Sequence, residues 1–522
     1  MGAYGHKLDL LLSYSVKGGA FMQYNSTQDK SKKVSSAQAI AQGISHDGGL
    51  FVPESFPQLD PATIENMLSM SYQERAKLII SEFLTDFTDE EIDDCVYSAY
   101  TKAKFGHKNP APIASMTYNK HPLNLLELWH GPTCAFKDMA LQILPHFLTK
   151  SLQKAGDGLD AVILVATSGD TGKAALEGFK DVEHTKIIVF YPESGVSAMQ
   201  KHQMNTQEGE NVYVCAIKGN FDDAQTAVKK IFTDDETAKI LKKNGMMFSS
   251  ANSINWGRLL PQIVYYVSAY CDMVNLGKIE PGDKINITVP TGNFGNILAA
   301  YYAYEMGLPV NKFICASNSN NVLTDFINTG VYNKNRDFYT TVSPSMDILV
   351  SSNLERLLYH LSGENDKETK SYMDMLKSDG IYEVSHEIKE KITSLFYGGF
   401  CDEENTKKTI HNLFEQRRYL CDTHTAVAVA VYDEYVSQTG DDTPTVIAST
   451  ASPYKFSKAV LESIGCEDTP SSEFDMVEKL HELTGIEVPA PLANLRGKEP
   501  RFSEVTDKEK MQGVVLRALD IE

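Results

Sequence analysis

A chain of 522 residues is well beyond one ordinary core, so two or three packed units are expected. Hydrophobic residues make up 42% and charged residues 23%, the balance of a globular protein in water, and no apolar run approaches the roughly 18 residues of a membrane span. With 49 basic against 69 acidic residues the formal charge is −20, which argues against nucleic acid or an anionic membrane as the main partner and requires a locally positive pocket for any anionic small molecule.

The first 21 residues hold only a short apolar stretch, broken by Asp9 and Ser13, a poor secretory signal. They read as a tag or N-terminal extension with Met22 as the natural start; the alternative is an ordered first strand. Residues 22–110 form an N-terminal domain, mainly helical in pattern from 34 to 105 and acidic over Asp86–Asp94.

Beyond residue 110 one pattern recurs: a short apolar run ends in a Gly/Ser/Thr loop, and a helical pattern follows. AVILVA (161–166) precedes TSGDTG, INITVP (285–290) precedes TGNFG, and TVIA (445–448) precedes STASP. This predicts an α/β fold of parallel-sheet lobes with flanking helices, and sites gathered at the carboxyl ends of the strands. The lobes are expected over 111–350 and 420–465, interleaved, with a helical insertion over 351–419 and a C-terminal wrap over 466–522. Eight scattered cysteines with no CxxC pair suggest neither zinc nor a redox motif. Reduced core thiols in a cytoplasmic protein fit better.

Four segments carry chemistry. In LLELWHGPTCAFKDMALQ (125–142), Lys137 follows a Gly-Pro-Thr turn at the start of an apparent helix. Partial burial there would make it a nucleophile and base; otherwise it is a solvated first-turn lysine, mildly unfavourable against the helix dipole. In ATSGDTGKAALEGF (166–179), the loop from Ser168 to Gly172 opens a helix, and the hydroxyls of Ser168 and Thr171 add donors to its amides, unless it is an ordinary cap. It is not a Walker A loop, because Thr167 and Ala174 stand where that motif needs Gly and Ser/Thr. In TVPTGNFGNILAAYYAYEMG (288–307), Gly292 and Gly295 are placed for close backbone approach to a phosphate at a helix N-terminus. The dinucleotide G-x-G-x-x-G is absent. In VIASTASPYKF (446–456), Thr450 lies just past a strand end, where a hydroxyl could bond a heterocycle nitrogen; alone it reads as a turn residue.

From about Met22 to Phe456 the chain resembles the threonine synthases, within the tryptophan-synthase-β-like group of pyridoxal-phosphate enzymes. The four segments carry the resemblance together with QYNSTQDK, HDGGLFVPE, YPESGVSAMQKHQMNTQ, KGNFDDAQ, NSINWGRLLPQIVYY and SPSMDILVSSNLER, all in family order. Thr423 stands where many members have Pro, and Ser452 where many have His. The resemblance implies pyridoxal 5'-phosphate bound through Lys137, its phosphate cradled by Gly292, Asn293, Phe294, Gly295 and Asn296, its pyridine nitrogen bonded by Thr450, and Asp170 near the ring. It implies O-phosphohomoserine as substrate, with Ser168 and Thr171 near its carboxylate and Arg258 and Lys455 as candidates for its phosphate. The implied reaction adds water and releases threonine and phosphate, in a monomer or homodimer. A phospholyase releasing 2-oxobutyrate, and a degenerate relative kept as a binding protein, are the alternatives.

Overall fold

The computed structural model describes residues 21–521 apart from 156, 157, 168 and 195. The reading of residues 1–21 as an extension therefore lies outside the described residues, save for Phe21.

The chain opens with a small antiparallel sheet. Gln23–Ser26 is its middle strand, flanked by Asp29–Ser35 and Phe51–Pro53. The helices that follow are cut by their caps. Ser71 and Glu74 close one capping box before Tyr72–Phe83, and Thr88 and Glu91 close another before Asp89–Ala99. The acidic residues 89–91 thus lie in a first turn, where the helix dipole favours them. The buried face of Tyr72–Phe83 rests on the 20-residue helix Trp256–Asn275, and Arg75 pins the contact with Nη1 2.7 Å from Asp272 and 2.8 Å from Ser268 Oγ.

Two sheets form the expected α/β body. The first has six strands in the order Phe396–Phe400, Val310–Ser317, Ile285–Pro290, Thr445–Ser449, His121–Glu127, Ile113–Tyr118; all pair in parallel except the last, a hairpin partner. The second has five parallel strands, Val505–Asp507, Val212–Lys218, Thr185–Pro192, Asp160–Ala166 and Met246–Ser249. Both carry helices on both faces, so their central strands are buried on both sides; Ile285–Pro290 is buried at every position, its polar Asn286 and Thr288 included. One core joins the N-terminal helices, Trp256–Asn275 and the facing sides of both sheets. A second lies beneath the other face of the six-stranded sheet, and a third beneath the outer face of the five-stranded sheet.

Two segments do more than their composition suggests. After the helices Leu354–Leu361, Asp366–Ser378 and His386–Leu395, the insertion supplies Phe396–Phe400, an edge strand of the six-stranded sheet. The C-terminal wrap crosses to the other lobe, where Val505–Asp507 adds an edge strand and Met511–Ala518 buries Met511, Val514 and Val515.

Candidate active site

Three strand ends and one loop converge on Lys137. The bridge from Ala135 to Ala451, with the Phe136 amide donating to the Thr450 carbonyl at 2.8 Å and the Ser452 amide to the Cys134 carbonyl at 3.0 Å, staples the lysine loop to the end of strand Thr445–Ser449. Lys137 then caps the short helix Asp138–Leu141. Its Nζ lies 3.4 Å from Ser345 Oγ and 3.9 Å from Asp170 Oδ2. Burial pushes the ammonium below its ordinary pKa; Asp170 opposes the shift, and Lys455 and Arg258 reinforce it. A buried amine whose pKa is lowered gives up its proton more readily, as a nucleophile and base must.

Asp170 is the hub of the charges. Lys455 Nζ sits 2.8 Å from its Oδ1, and Gln200 Nε2 donates to the same oxygen at 3.2 Å. Burial alone would raise its carboxyl pKa, but Lys455 and Lys137 overcome that and hold it well below the usual carboxylate range. Lys455 also donates to the Thr133 carbonyl at 2.9 Å, so two of its three donors are committed.

The segment that carries Asp170 is held by its own hydroxyl. Thr167 Oγ1 accepts from the amides of Gly169 and Gly172 at 3.0 and 2.9 Å. Gly169 has φ 145°, and a Cβ there would collide with Gln200, so both backbone and space require glycine. Thr171 is half-buried, and its hydroxyl has no partner among the described residues. Ser168, expected beside it, lies outside the described residues.

The glycine loop has a different construction. The carbonyl of Gly292 accepts from Ser351 Oγ at 2.7 Å, and that of Asn293 from the amide and Nδ2 of Asn353, both at 3.1 Å. With its carbonyls tied back, the amides of Gly292, Asn293 and Phe294 have no partner among the described residues, and those of Gly295 and Asn296 open the helix Gly295–Glu305. Phe294, not a glycine, takes the left-handed conformation at φ 64°, with its ring buried 6.0 Å from that of Phe396. An aromatic residue held there is strained, a cost that concentrates at functional sites. The Asn296 side chain turns away from the loop, its Oδ1 accepting from Tyr265 and Tyr266, while its buried Nδ2 has no partner.

Arg258 is fully buried on Trp256–Asn275. Its Nη1 donates to the Ala251 carbonyl at 2.7 Å, its Nε has no partner, and burial lowers its pKa to about 10. Thr450 is buried at the strand end, and its hydroxyl has no partner among the described residues. A reactive buried lysine, a run of free amides at a helix N-terminus, an unpaired hydroxyl and an orphaned guanidinium nitrogen suit a phosphorylated aldehyde cofactor. The residues present fit pyridoxal phosphate. Among the described residues no group of three metal-ligating side chains occurs.

Sequence reasoning passed over Ser345, Gln200 and His424, all of which touch the site or its neighbours. Each lies in a segment that carried the resemblance or follows it, but nothing local marked the residue. Of the two departures, Thr423 donates to the Val342 carbonyl at 2.7 Å, a bond a proline cannot make, and Ser452 accepts from the Tyr454 amide at the cap of the turn Pro453–Phe456.

The comparisons with known proteins agree with this geometry. Family models match in three stretches: Threonine synthase N terminus over residues 23–100, Pyridoxal-phosphate dependent enzyme over 115–450, and Threonine synthase, C-terminal over 425–515. The chain is 38% identical to human Threonine synthase-like 1 over 87% of its own length, and spans 63% of that relative's length. It is 34% identical to Threonine synthase of Saccharomyces cerevisiae, over 95% of this chain and 98% of the yeast one. A crystal structure of pyridoxal-phosphate-bound threonine synthase from Brucella melitensis superposes with a TM-score of 0.84 at 34% identity, covering 95% of this chain and 99% of that one.

Proposed function

Because the chain belongs to the threonine synthase family, we propose that it converts O-phosphohomoserine and water into threonine and phosphate, using pyridoxal phosphate at Lys137. The observation that carries this reading is the buried Lys137 amine, set between Asp170 and Ser345 beside a loop of free amides. When bound, the cofactor supplies an electron sink for charge developing on the carbons of the amino-acid substrate.

The residues divide the remaining work. The amides from Gly292 to Asn296 would hold the cofactor phosphate, and the Thr450 hydroxyl would serve the ring nitrogen. A neutral hydroxyl there, unlike a carboxylate, would moderate the sink. Lys137 takes the α proton and returns protons along the carbon chain, a role typically worth ~10²–10⁴-fold. Asp170 keeps its charge, so it orients Lys137 and Lys455 without competing for the proton. The Thr171 hydroxyl is the proposed donor to the substrate carboxylate. Arg258 has no acidic partner and a buried Nε without an acceptor among the described residues, whereas Lys455 has two of its three donors on Asp170 and Thr133, so Arg258 is the stronger candidate for the substrate phosphate.

Across the reaction the bond from Cγ to the phosphate oxygen breaks and Cγ gains a proton, Cβ gives up a proton and bonds the water oxygen, and the proton released by water leaves with the phosphate. Water must be kept from Cβ until phosphate has left. All eight cysteines are free thiols, seven of them buried, which supports a reducing compartment such as the cytoplasm. The proposed oligomeric state is a monomer or homodimer.

The test is product analysis. The purified enzyme should release phosphate and threonine in equal amounts from O-phosphohomoserine, and neither from homoserine. Predominant 2-oxobutyrate would instead establish a phospholyase.

A further inference from the structure

Behind Ser345 lies a buried pair that touches neither the expected cofactor site nor the substrate pocket. Asp422 caps the helix Thr423–Thr439. Its Oδ1 accepts from the His424 amide at 2.8 Å and meets His424 Nδ1 at 2.9 Å, and its Oδ2 is held by the Thr425 hydroxyl. Both residues are almost wholly enclosed, and the Phe456 ring closes over the imidazole with centroids 4.8 Å apart. A helix cap accounts for Asp422 alone. It does not account for the far side of the imidazole, where His424 Nε2 accepts from the Ser345 amide at 3.1 Å.

That contact fixes the tautomer. An amide can only donate, so Nε2 carries no proton, and the proton on Nδ1 is donated to Asp422. The Ser345 amide has no backbone acceptor, because the turn Pro344–Met346 is a single 3₁₀ turn. The same turn is drawn toward this helix at Val342, whose carbonyl accepts from Thr423. It presents Ser345 Oγ to Lys137 Nζ, and it sits so close to the glycine loop that a Cβ on Gly292 would lie 2.7 Å from the Ser345 carbonyl oxygen.

We infer that Asp422 and His424 are positioning residues for Lys137: the carboxylate fixes the imidazole, the imidazole holds the Ser345 amide, and the Ser345 hydroxyl thereby takes its place against the lysine nitrogen. The inference rests on the reading of Lys137 as the reactive lysine. Gln and Asn separate the two sides of the ring. In His424→Gln the side-chain amide oxygen reaches the place of Nε2 and can still accept from Ser345; in His424→Asn it reaches only the place of Nδ1.

The experiment compares His424→Asn, His424→Gln and Ser345→Ala with wild-type holoenzyme. Hydrogen exchange of the 343–347 segment, the pH titration of the visible cofactor band, and kcat and KM are measured for each. In His424→Asn the Ser345 amide should exchange at least about tenfold faster, with distant segments unchanged. The band midpoint should move down by about half a pH unit, since the hydroxyl that accepts from the lysine nitrogen is displaced. The kcat should fall by about tenfold, with KM within about twofold, since only proton transfer at Lys137 is disturbed. His424→Gln should keep all three near wild type. Ser345→Ala should reproduce the band shift and the kcat loss while its amide stays protected. Equal behaviour of the Asn and Gln variants, exchange raised throughout the molecule, or an unmoved band in Ser345→Ala would each overturn the inference. If wild type fails to turn over O-phosphohomoserine, the functional reading falls, yet the exchange and band measurements still decide the positioning role.

Discussion

The segments Thr167–Gly172 and Thr291–Asn296 have one design in sequence, a strand leading through small polar residues into a helix, and two different uses of their amides. In the first, the Thr167 hydroxyl plugs the loop from inside and takes the amides of Gly169 and Gly172, and a buried carboxylate, Asp170, heads the helix. In the second, outside groups, Ser351 and Asn353, take the carbonyls, and the amides of Gly292, Asn293 and Phe294 have no partner among the described residues. A loop with two of its amides already taken and an anion as its first helical residue holds a phosphate poorly; a loop with unpartnered amides and no carboxylate can hold one. Anion selectivity at a helix N-terminus is thus decided less by glycine content than by which half of each peptide group already has a partner.

The sharpest way to break this contrast is to neutralise the anion in the first loop. Asp170→Asn leaves Lys455 without its carboxylate and removes the charge that opposes the downward shift at Lys137, so the Lys137 pKa falls further. Turnover should drop by about 10²-fold as the proton balance at Lys137 is lost. The Asp170 carboxyl has a depressed pKa in the folded state, so its contribution to stability is present above its unfolded value near 3.9 and is lost as pH falls through the lower folded value. Acid unfolding curves should therefore show a shallower loss below about pH 4 in Asp170→Asn than in wild type. Equal slopes would mean that the carboxylate is not held charged.

The second loop is tested at its two glycines, which the sequence treats alike and the structure does not. A Cβ on Gly292 would meet the Ser345 carbonyl oxygen at 2.7 Å, a backbone atom that must move, and would displace the turn facing Lys137. A Cβ on Gly295 would meet only Asn353 Nδ2 at 3.4 Å, an ordinary contact, in a residue already helical. Gly292→Ala should weaken pyridoxal-phosphate binding by about tenfold, in line with ~1–3 kcal/mol for overpacking, and Gly295→Ala by less than about threefold. Equilibrium titration of the cofactor into each variant checks the order; a larger loss at Gly295 would reverse it.

Much of the frame was legible in the sequence because it depends on short-range rules. Ile285–Pro290 and Thr445–Ser449 are apolar runs stopped by turn residues, and they are strands. The placement of Asp170 and Thr450 in loops after strands followed from the same pattern, and that of Lys137 at a helix start from the Gly-Pro-Thr turn before it. What was not legible depends on long-range partners. Phe396–Phe400 is a strand only because Val310–Ser317 offers an edge beside it, and its FYGGF sequence carries two glycines. Nothing near Asn296 in the sequence reveals that Tyr265 and Tyr266, a helix away, claim its side-chain oxygen. Ser345 and His424 are 79 residues apart, and only the fold brings them to one hydrogen bond.

The smallest effect expected is at Thr167, and it isolates the plug itself. Thr167→Val keeps the methyl that packs against Gly172 and the branched shape of the side chain, and removes only the oxygen that serves two amides. Both amides lie in a buried loop, so they lose an acceptor that water cannot readily replace. The cost should be about 1–3 kcal/mol, read as a lower urea midpoint with an unchanged slope, because the surface exposed on unfolding does not change. Pyridoxal-phosphate affinity should fall far less than in Gly292→Ala, since the amides released belong to the loop headed by Asp170 and not to the one proposed to hold the cofactor phosphate. If Thr167→Val cost as much affinity as Gly292→Ala, the two loops would be acting on one anion and the division between a plugged and an open loop would fail. If it cost neither stability nor affinity, the hydroxyl would be idle, and the loop would owe its shape to Gly169 and its contact with Gln200 alone.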